Sequence, residues 1–407
     1  MHRSMLIIAV TLESIRSDVI GGSDRVFLEI FKKLLRNNVQ VIIITSITGY
    51  KLFRYNCKLN AKYFIVSRTK LDALIERKYS KLLVFITYIM RILKMIISLK
   101  SLLCLLRYAD NNDRIIIYTP GDFMPNAISA GLLRILIKKS FWATHIHFLI
   151  PPPLYRGLSL LADLAAFSLQ RISLHIIKKI ADMIIVVNFY VHQRLIKLGV
   201  PKSKIFRSNC GIDYELIQKV PPVSCKYDAC FVGRIHPAKG VFDLIKIWEK
   251  VVKLKKNAKL AIVGSGSSEY VNALISIVRK KDLHKNIFLL GFDPLPYRVM
   301  KSSAMLLYPD HEAGYGWGIA IAEALACGIP VIAYSLPVYK EIYDDVIWYV
   351  KYRDYDEFAD KILLLLENKG LRSLIGNRGR EYVKRYDWST IVNNLLCEIM
   401  RRISRET

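Results

Sequence analysis

The sequence predicts an α/β protein made of two doubly wound, Rossmann-like units, and three observations carry that reading. First, short β-branched runs alternate with longer helical patterns: LIIAV, a helix over 24–37, VQVIIIT, then RIIIYT, a helix over 126–138, and FWATHIHFLI. Such alternation marks parallel strands joined by helical crossovers. Second, a similar series begins near residue 227: YDACFVG, a helix from about 240, KLAIVGSG, a helix over 268–281, NIFLLGF, a helix near 295–302, AMLLYP, a helix over 319–327, and PVIAY. Third, the two series are separated by a strand, ADMIIVV (181–187), a turn ending KIFRSNCGID, and the segment VPPVSC (220–225). Pro221 and Pro222 block both helix and ladder pairing, so the linker is expected there. The division predicted is residues 1–215, residues 216–387 and a last helix over 388–407.

The 407 residues allow two or three domains at about 150 residues each, and a 53% apolar composition gives each a core. Disorder over most of the chain is excluded. The charge balance, 61 basic against 34 acidic residues, leaves a net +27 that attracts phosphates, anionic lipid or nucleic acid. Seven cysteines, an odd number spread over the chain, argue for a reducing compartment and against a disulfide framework; Cys225 and Cys230, the closest pair, read as buried thiols and not as metal ligands, because no second Cys or His pair lies at zinc-ligand spacing.

The apolar stretch Met5 to Val10 is shorter than the ~7–15 residues of a signal sequence core and reads as a first strand. In 82–109 the uncharged run before Arg91 is nine residues, about half of a ~30 Å hydrocarbon layer at ~1.5 Å per residue, so no spanning helix is expected. Thr87, Arg91, Lys94, Ser98 and Ser101 fall on one helical stripe. The reading favoured is a helix packed on a sheet with this stripe in water; the other is a helix lying at a lipid surface.

Three segments carry chemistry. Gly21-Gly22-Ser23-Asp24-Arg25 follows the first strand and opens a helix, where bare backbone N–H groups could meet a phosphate; GxGxxG is absent. In FVGRIHPAKG (231–240) a strand ends at Gly233 and a helix starts near Lys239-Gly240. Arg234 and Lys239 thus stand at the carboxyl edge of a parallel sheet, beside a helix N-terminus, either as a diphosphate clamp or as cations of a solvated loop. In PDHEAGYGWGIAIAEALACGIP (309–330), Gly314, Gly316 and Gly318 free the backbone to curl around a ligand, and Glu323 is an acid inside an apolar helical run.

Taken in this order, these segments resemble the retaining, nucleotide-sugar-dependent glycosyltransferases of the GT-B fold. The likeness runs over GGSDRVFLEI, ADMIIVV, KIFRSNCGID, FVGRIHPAKG, LAIVGSG, IFLLGF and YGWGIAIAEALACGIPVIAY. It implies two Rossmann-like domains facing a cleft, with the donor held mainly by the second, the acceptor by the first, and the last helix crossing back to the first. By the same resemblance Arg234 and Lys239 neutralise the donor diphosphate without a metal ion or other cofactor. Gly21 and Gly22 approach the phosphates, and Glu323 holds the ribose hydroxyls. The family's late motif carries two glutamates eight positions apart; counting back from Glu323 gives Tyr315, so the first is missing. Glu312, three residues earlier, or Tyr315 itself is the expected replacement.

The resemblance also places a histidine at the donor sugar; of His145 and His147 in THIHFLIPPP, His147 is nearer the loop and is preferred. Gly233, Gly264, Gly266 and Phe292 are expected beside the nucleotide, with Gly316, Trp317, Gly318 and Ile319 around the donor and Trp317 either stacking on it or anchoring the loop. His236, His284 and His311 read as exposed loop residues. The expected substrates are a UDP- or GDP-hexose and a saccharide, lipid-linked or protein-linked acceptor. The expected location is the cytoplasm, and the +27 charge with the 82–109 helix motivates peripheral attachment at the inner, anionic face of a membrane. The rival is a basic nucleic-acid-binding or degenerate, non-catalytic protein; dispersed cations and the lack of a nucleic-acid motif speak against a specific nucleic acid.

Overall fold

The β-branched runs of the first half assemble into one all-parallel sheet. The computed structural model describes residues 5–14, 22–37, 39–77, 81–106, 114–150, 160–311 and 316–406. These fall into two units, Met1–Ser208 with Val392–Thr407, and Asn209–Ile391.

In the first unit the strands are β1 (Met5–Thr11), β2 (Gln40–Ser46), β3 (Lys62–Ser67), β4 (Arg114–Thr119), β5 (Ser140–Ile146), β6 (Met183–Val186) and β7 (Ile205–Arg207). The helices are α1 (Gly22–Arg36), α2 (Ile47–Tyr50), α3 (Lys70–Arg77), α4 (Lys81–Leu106), α5 (Met124–Leu136), α6 (Leu160–Ile180) and α7 (Phe189–Lys197). The sheet order is β3-β2-β1-β4-β5-β6-β7, so the order reverses between β1 and β4. Ile8, Ile117, Trp142 and Ile184 are fully buried in its core, as expected of parallel strands covered on both faces.

The second unit holds α8 (Tyr214–Lys219), β8 (Ala229–Val232), α9 (Val241–Leu254), β9 (Leu260–Val263), α10 (Ser268–Lys280), β10 (Ile287–Gly291) and α11 (Tyr297–Met300). It continues with β11 (Leu306–Tyr308), α12 (Ile319–Ala326), β12 (Val331–Tyr334), α13 (Pro337–Tyr343), β13 (Trp348–Val350), α14 (Tyr355–Glu367) and α15 (Lys369–Val383). Its parallel sheet runs β10-β9-β8-β11-β12-β13 and reverses between β8 and β11. The chain passes into this unit at Asn209, ahead of Pro221, because Ile212 pairs with Asp387 and its N–H donates to Tyr386 O at 2.8 Å. The last helix, α16 (Trp388–Glu406), begins in the second unit and belongs to the first from Val392. There Arg402 donates to Ser203 O at 2.6 Å.

One expectation is reversed in α4. Its polar stripe does not face water: Thr87 and Arg91 are buried, Lys94 and Ser98 are half-buried, and Ser101 is exposed. The reason is the buried carboxylate of Asp72 on α3, which accepts from Arg91 at 2.9 and 3.1 Å and would be costly without that partner. The guanidinium also donates to Leu12 O at 2.6 Å and Ser14 O at 2.9 Å, just beyond β1. Leu82, Phe85, Ile89, Leu93 and Ile97 are left exposed on the other side. The helix expected over this stretch runs unbroken past Arg91 for 26 residues. Among the described residues, Leu82–Cys104 is long and apolar enough to cross a membrane by length and composition.

Candidate active site

In open α/β sheets ligands gather beyond the carboxyl ends of the strands, where the strand order reverses. In the second unit this point lies between β8 and β11, and the sequence delivers FVGRIHPAKG after one strand and PDH after the other. Backbone packing shapes the first loop tightly. At Gly264, at φ +152°, an added Cβ would stand 1.8 Å from Gly233 O, and at Gly240, at φ +68°, 1.7 Å from Pro309 O. Neither position accepts a side chain. Gly266 pairs with Ile235, and an added Cβ there would stand 2.3 Å from Ile235 O. These glycines let the loop carrying Arg234 lie flat against its neighbours.

Lys239 is held in that loop by Asp310. Its Nζ is 3.1 Å from Asp310 Oδ2, which also accepts from the Tyr339 hydroxyl at 2.6 Å. Asp310 is buried and Lys239 nearly so, whereas Arg234 is exposed. A second tie runs parallel to the first. The His311 N–H donates to Ala238 O at 2.9 Å, and its Nε2 is 3.2 Å from Asp243 Oδ2 in the first turn of α9. Burial alone would raise the Asp243 pKa, but hydrogen bonds from His311, Tyr334 and Tyr355 hold it below the usual carboxylate value. His311 is therefore not the exposed loop residue expected; its carboxylate partner lies 68 positions earlier, too far apart to be seen as a pair in the sequence. His236 is half-buried and caps a short turn by accepting from the Ala238 N–H, and His284 is exposed beside Asp282.

The later glycine-rich segment is partly described. Gly21, Glu312 and Tyr315 lie outside the described residues, so the replacement for the missing glutamate is not located. Gly318, at φ +71°, precedes α12, whose first residue is Ile319, and Tyr343 donates to the Trp317 and Gly318 carbonyls at 3.0 and 2.9 Å. Gly316 lies just before. Of the two roles expected for Trp317 the structure shows the packing anchor and not the stacking surface: it is buried against the rings of Tyr343 and Tyr386. Glu323 is also buried and accepts from the Tyr297 hydroxyl at 3.2 Å. Phe292, after β10, is 74% exposed.

The first unit shows a matching gathering between β1 and β4. Gly22 opens α1 here. Asn126 accepts from the Leu12 N–H at 2.7 Å and donates to Glu13 Oε2 at 2.6 Å. Burial, then the charge of Asp24, push the Glu13 carboxyl up to about 7. His147 Nε2 lies 2.8 Å from Pro120 O, which puts the proton on Nε2 and leaves Nδ1 as the acceptor of a ring kept neutral by burial. His145 stacks on it with centroids 5.3 Å apart, on the same face as alternation predicts, and is buried like the rest of β5. Asp310, Asp243 and Glu13 are site residues that the sequence reading missed. Asp310 stands in a segment already singled out and Asp243 just after one, but only the fold supplies their partners.

Two doubly wound parallel sheets, each with polar side chains collected where the strand order reverses, define a GT-B-type fold. Residues 214–382 match the family Glycosyl transferases group 1. The phosphatidyl-myo-inositol mannosyltransferase of Mycobacterium leprae is 30% identical over 170 residues, 41% of this chain and 44% of that protein. The chain thus spans less than half the length of the first curated relatives it matches. Among solved structures, a glycosyltransferase from Rickettsia africae superposes with a TM-score of 0.74 at 16% identity, covering 99% of both chains. Anabaena HepE, crystallised with UDP and glucose, gives 0.72 at 15% identity over 97% of this chain and 99% of that one. At these identities the structural likeness is one of fold.

Proposed function

We propose that the protein is a retaining, metal-independent glycosyltransferase that moves a hexose from a UDP- or GDP-sugar to a saccharide, lipid-linked or protein-linked acceptor. The observation that carries this reading is the placement of Lys239, tied by Asp310 at the carboxyl end of β8 and β11, on the same loop as Arg234 and beside the start of α9. Loss of a nucleoside diphosphate builds negative charge on the β-phosphate, and fixed cations with helix N–H groups stabilise that charge as the bond to the sugar breaks. In this reading the second unit binds the donor, with Gly233, Gly264 and Gly266 near the nucleotide and Glu323 at the ribose. The first unit takes the acceptor, and the resemblance assigns Gly21, Gly22 and His147 to the donor phosphates and sugar.

Glu312 is our first choice for the role of the absent glutamate, ahead of Tyr315. The likeness to a UDP-bound structure and to a mannosyltransferase supports a nucleotide-sugar donor. The site of action proposed is the cytoplasmic face of an anionic membrane, where lipid-linked acceptors reside. A screen of UDP- and GDP-sugars for release of nucleoside diphosphate tests the assignment. Turnover that is lost in Lys239→Ala supports it; no turnover of any donor, with or without acceptor lipid extract, overturns it.

A further inference from the structure

The helix α4 is built inside out for a water-soluble surface. Between Leu82 and Ile97 seven large apolar side chains are exposed, the most open being Ile97 at 73% and Leu82 at 66%. Their spacing sets them on one face about 22 Å long, at 1.5 Å rise per residue. The polar side chains of the same stretch point the other way, with Arg91 fully buried. A contiguous apolar surface of this kind marks a place that something covers.

We infer that this face of α4 lies in the interfacial layer of an anionic lipid bilayer, with the helix parallel to the membrane plane. The opposite face decides against a helix that crosses the bilayer. Arg91 is locked by Asp72, Leu12 and Ser14, so the side facing inward is part of the domain's own polar packing and does not turn to lipid. Charge decides between lipid and a second copy of the chain. From Lys81 to Leu106 there is no carboxylate, and Lys100, exposed and about five turns along from Leu82 on the same face, continues the apolar stripe with a cation. Lys94 borders the stripe, half-buried. A partner copy would bring another +27 against this basic surface, whereas anionic headgroups complement it. Apolar side chains sink below the headgroups while lysines stay among them.

The inference deepens the proposed function by naming the surface at which a lipid-linked acceptor would be met, and it rests on that reading for this consequence alone. Vesicle binding needs no donor, so its failure would leave donor turnover untouched.

The experiment is flotation of the full chain with phosphatidylcholine vesicles and with vesicles containing phosphatidylglycerol, at low and high salt. The wild type is expected to float with the anionic vesicles at low salt. Leu93→Glu/Ile97→Glu, both at exposed positions, is expected to lower the bound-to-free ratio at least about tenfold while melting like the wild type. Should that pair misfold, Lys100→Glu keeps the apolar stripe intact and is expected to weaken binding to anionic vesicles at low salt. Four results would each overturn the inference: no binding of the wild type to anionic vesicles; flotation unchanged in a folded variant; a wild-type dimer that the double substitution turns into a monomer without any vesicle binding; or retention through alkaline carbonate, which marks a spanning helix.

Discussion

Asp310 Oδ2 sits between two donors, the Lys239 ammonium at 3.1 Å and the Tyr339 hydroxyl at 2.6 Å, at the point where the second sheet reverses its strand order. The carboxylate fixes the cation that is proposed to meet the donor diphosphate. Asp310→Asn keeps an acceptor for Tyr339 but removes the charge that orients Lys239. It is expected to raise the donor KM about tenfold, whereas Lys239→Ala lowers kcat about 10²-fold or more. Steady-state kinetics on the two variants separates positioning from charge stabilisation; equal, small effects on both would contradict it.

Arg91 and Asp72 form a pair with both side chains fully buried. Burial favours the neutral acid, yet Arg91 and hydrogen bonds from Thr69 and Ser67 hold Asp72 below its ordinary pKa. Arg91→Met leaves a buried carboxylate unpaired, and about 3–5 kcal/mol of stability should be lost. Adding Asp72→Asn should restore part of it, as read by urea denaturation. Because the folded pKa is depressed, the contribution of Asp72 is present above its ordinary 3.8 and fades as pH falls below that value.

Glu13 titrates in the opposite sense. The folded protein keeps its proton to about pH 7, while the unfolded chain releases it near the ordinary 4.5. Stability therefore falls as pH rises from 4.5 to 7, by about 3 kcal/mol at roughly 1.4 kcal/mol per pH unit. Glu13→Gln preserves the acceptor for Asn126 and should remove this slope, leaving the variant relatively more stable at pH 8. Denaturant midpoints of both proteins across this range provide the check.

Gly264→Ala would set a methyl group 1.8 Å from Gly233 O in a backbone conformation that side chains rarely adopt. The loop bearing Arg234 must shift or the strand end must unpair, and a loss of about 3 kcal/mol is expected. Thermal melting measures it; a neutral substitution would show the contact to be relaxed in solution.

Much of this was legible in the sequence. Apolar runs such as MLIIAVT and SFWATHI become parallel strands because period and length leave few alternatives. The loop with Arg234 and Lys239 was found because glycines and a strand end mark it locally. What the sequence concealed were pairings at a distance: Lys239 with Asp310, His311 with Asp243 and Arg91 with Asp72. The orientation of α4 went unread for that reason, since its polar stripe faces water in a lone amphipathic helix and turns inward once Asp72 waits there. Trp317 shows the same limit, because an aromatic ring in a glycine-rich loop looks like a platform until Tyr343 and Tyr386 enclose it.

The measurement closest to the central claim is calorimetric titration of UDP and GDP into the wild type, Arg234→Ala and Lys239→Ala. The account predicts that one nucleotide binds the wild type and that each substitution weakens it at least about tenfold, the cost of a lost charge-assisted contact. Equal affinity in all three proteins would contradict it.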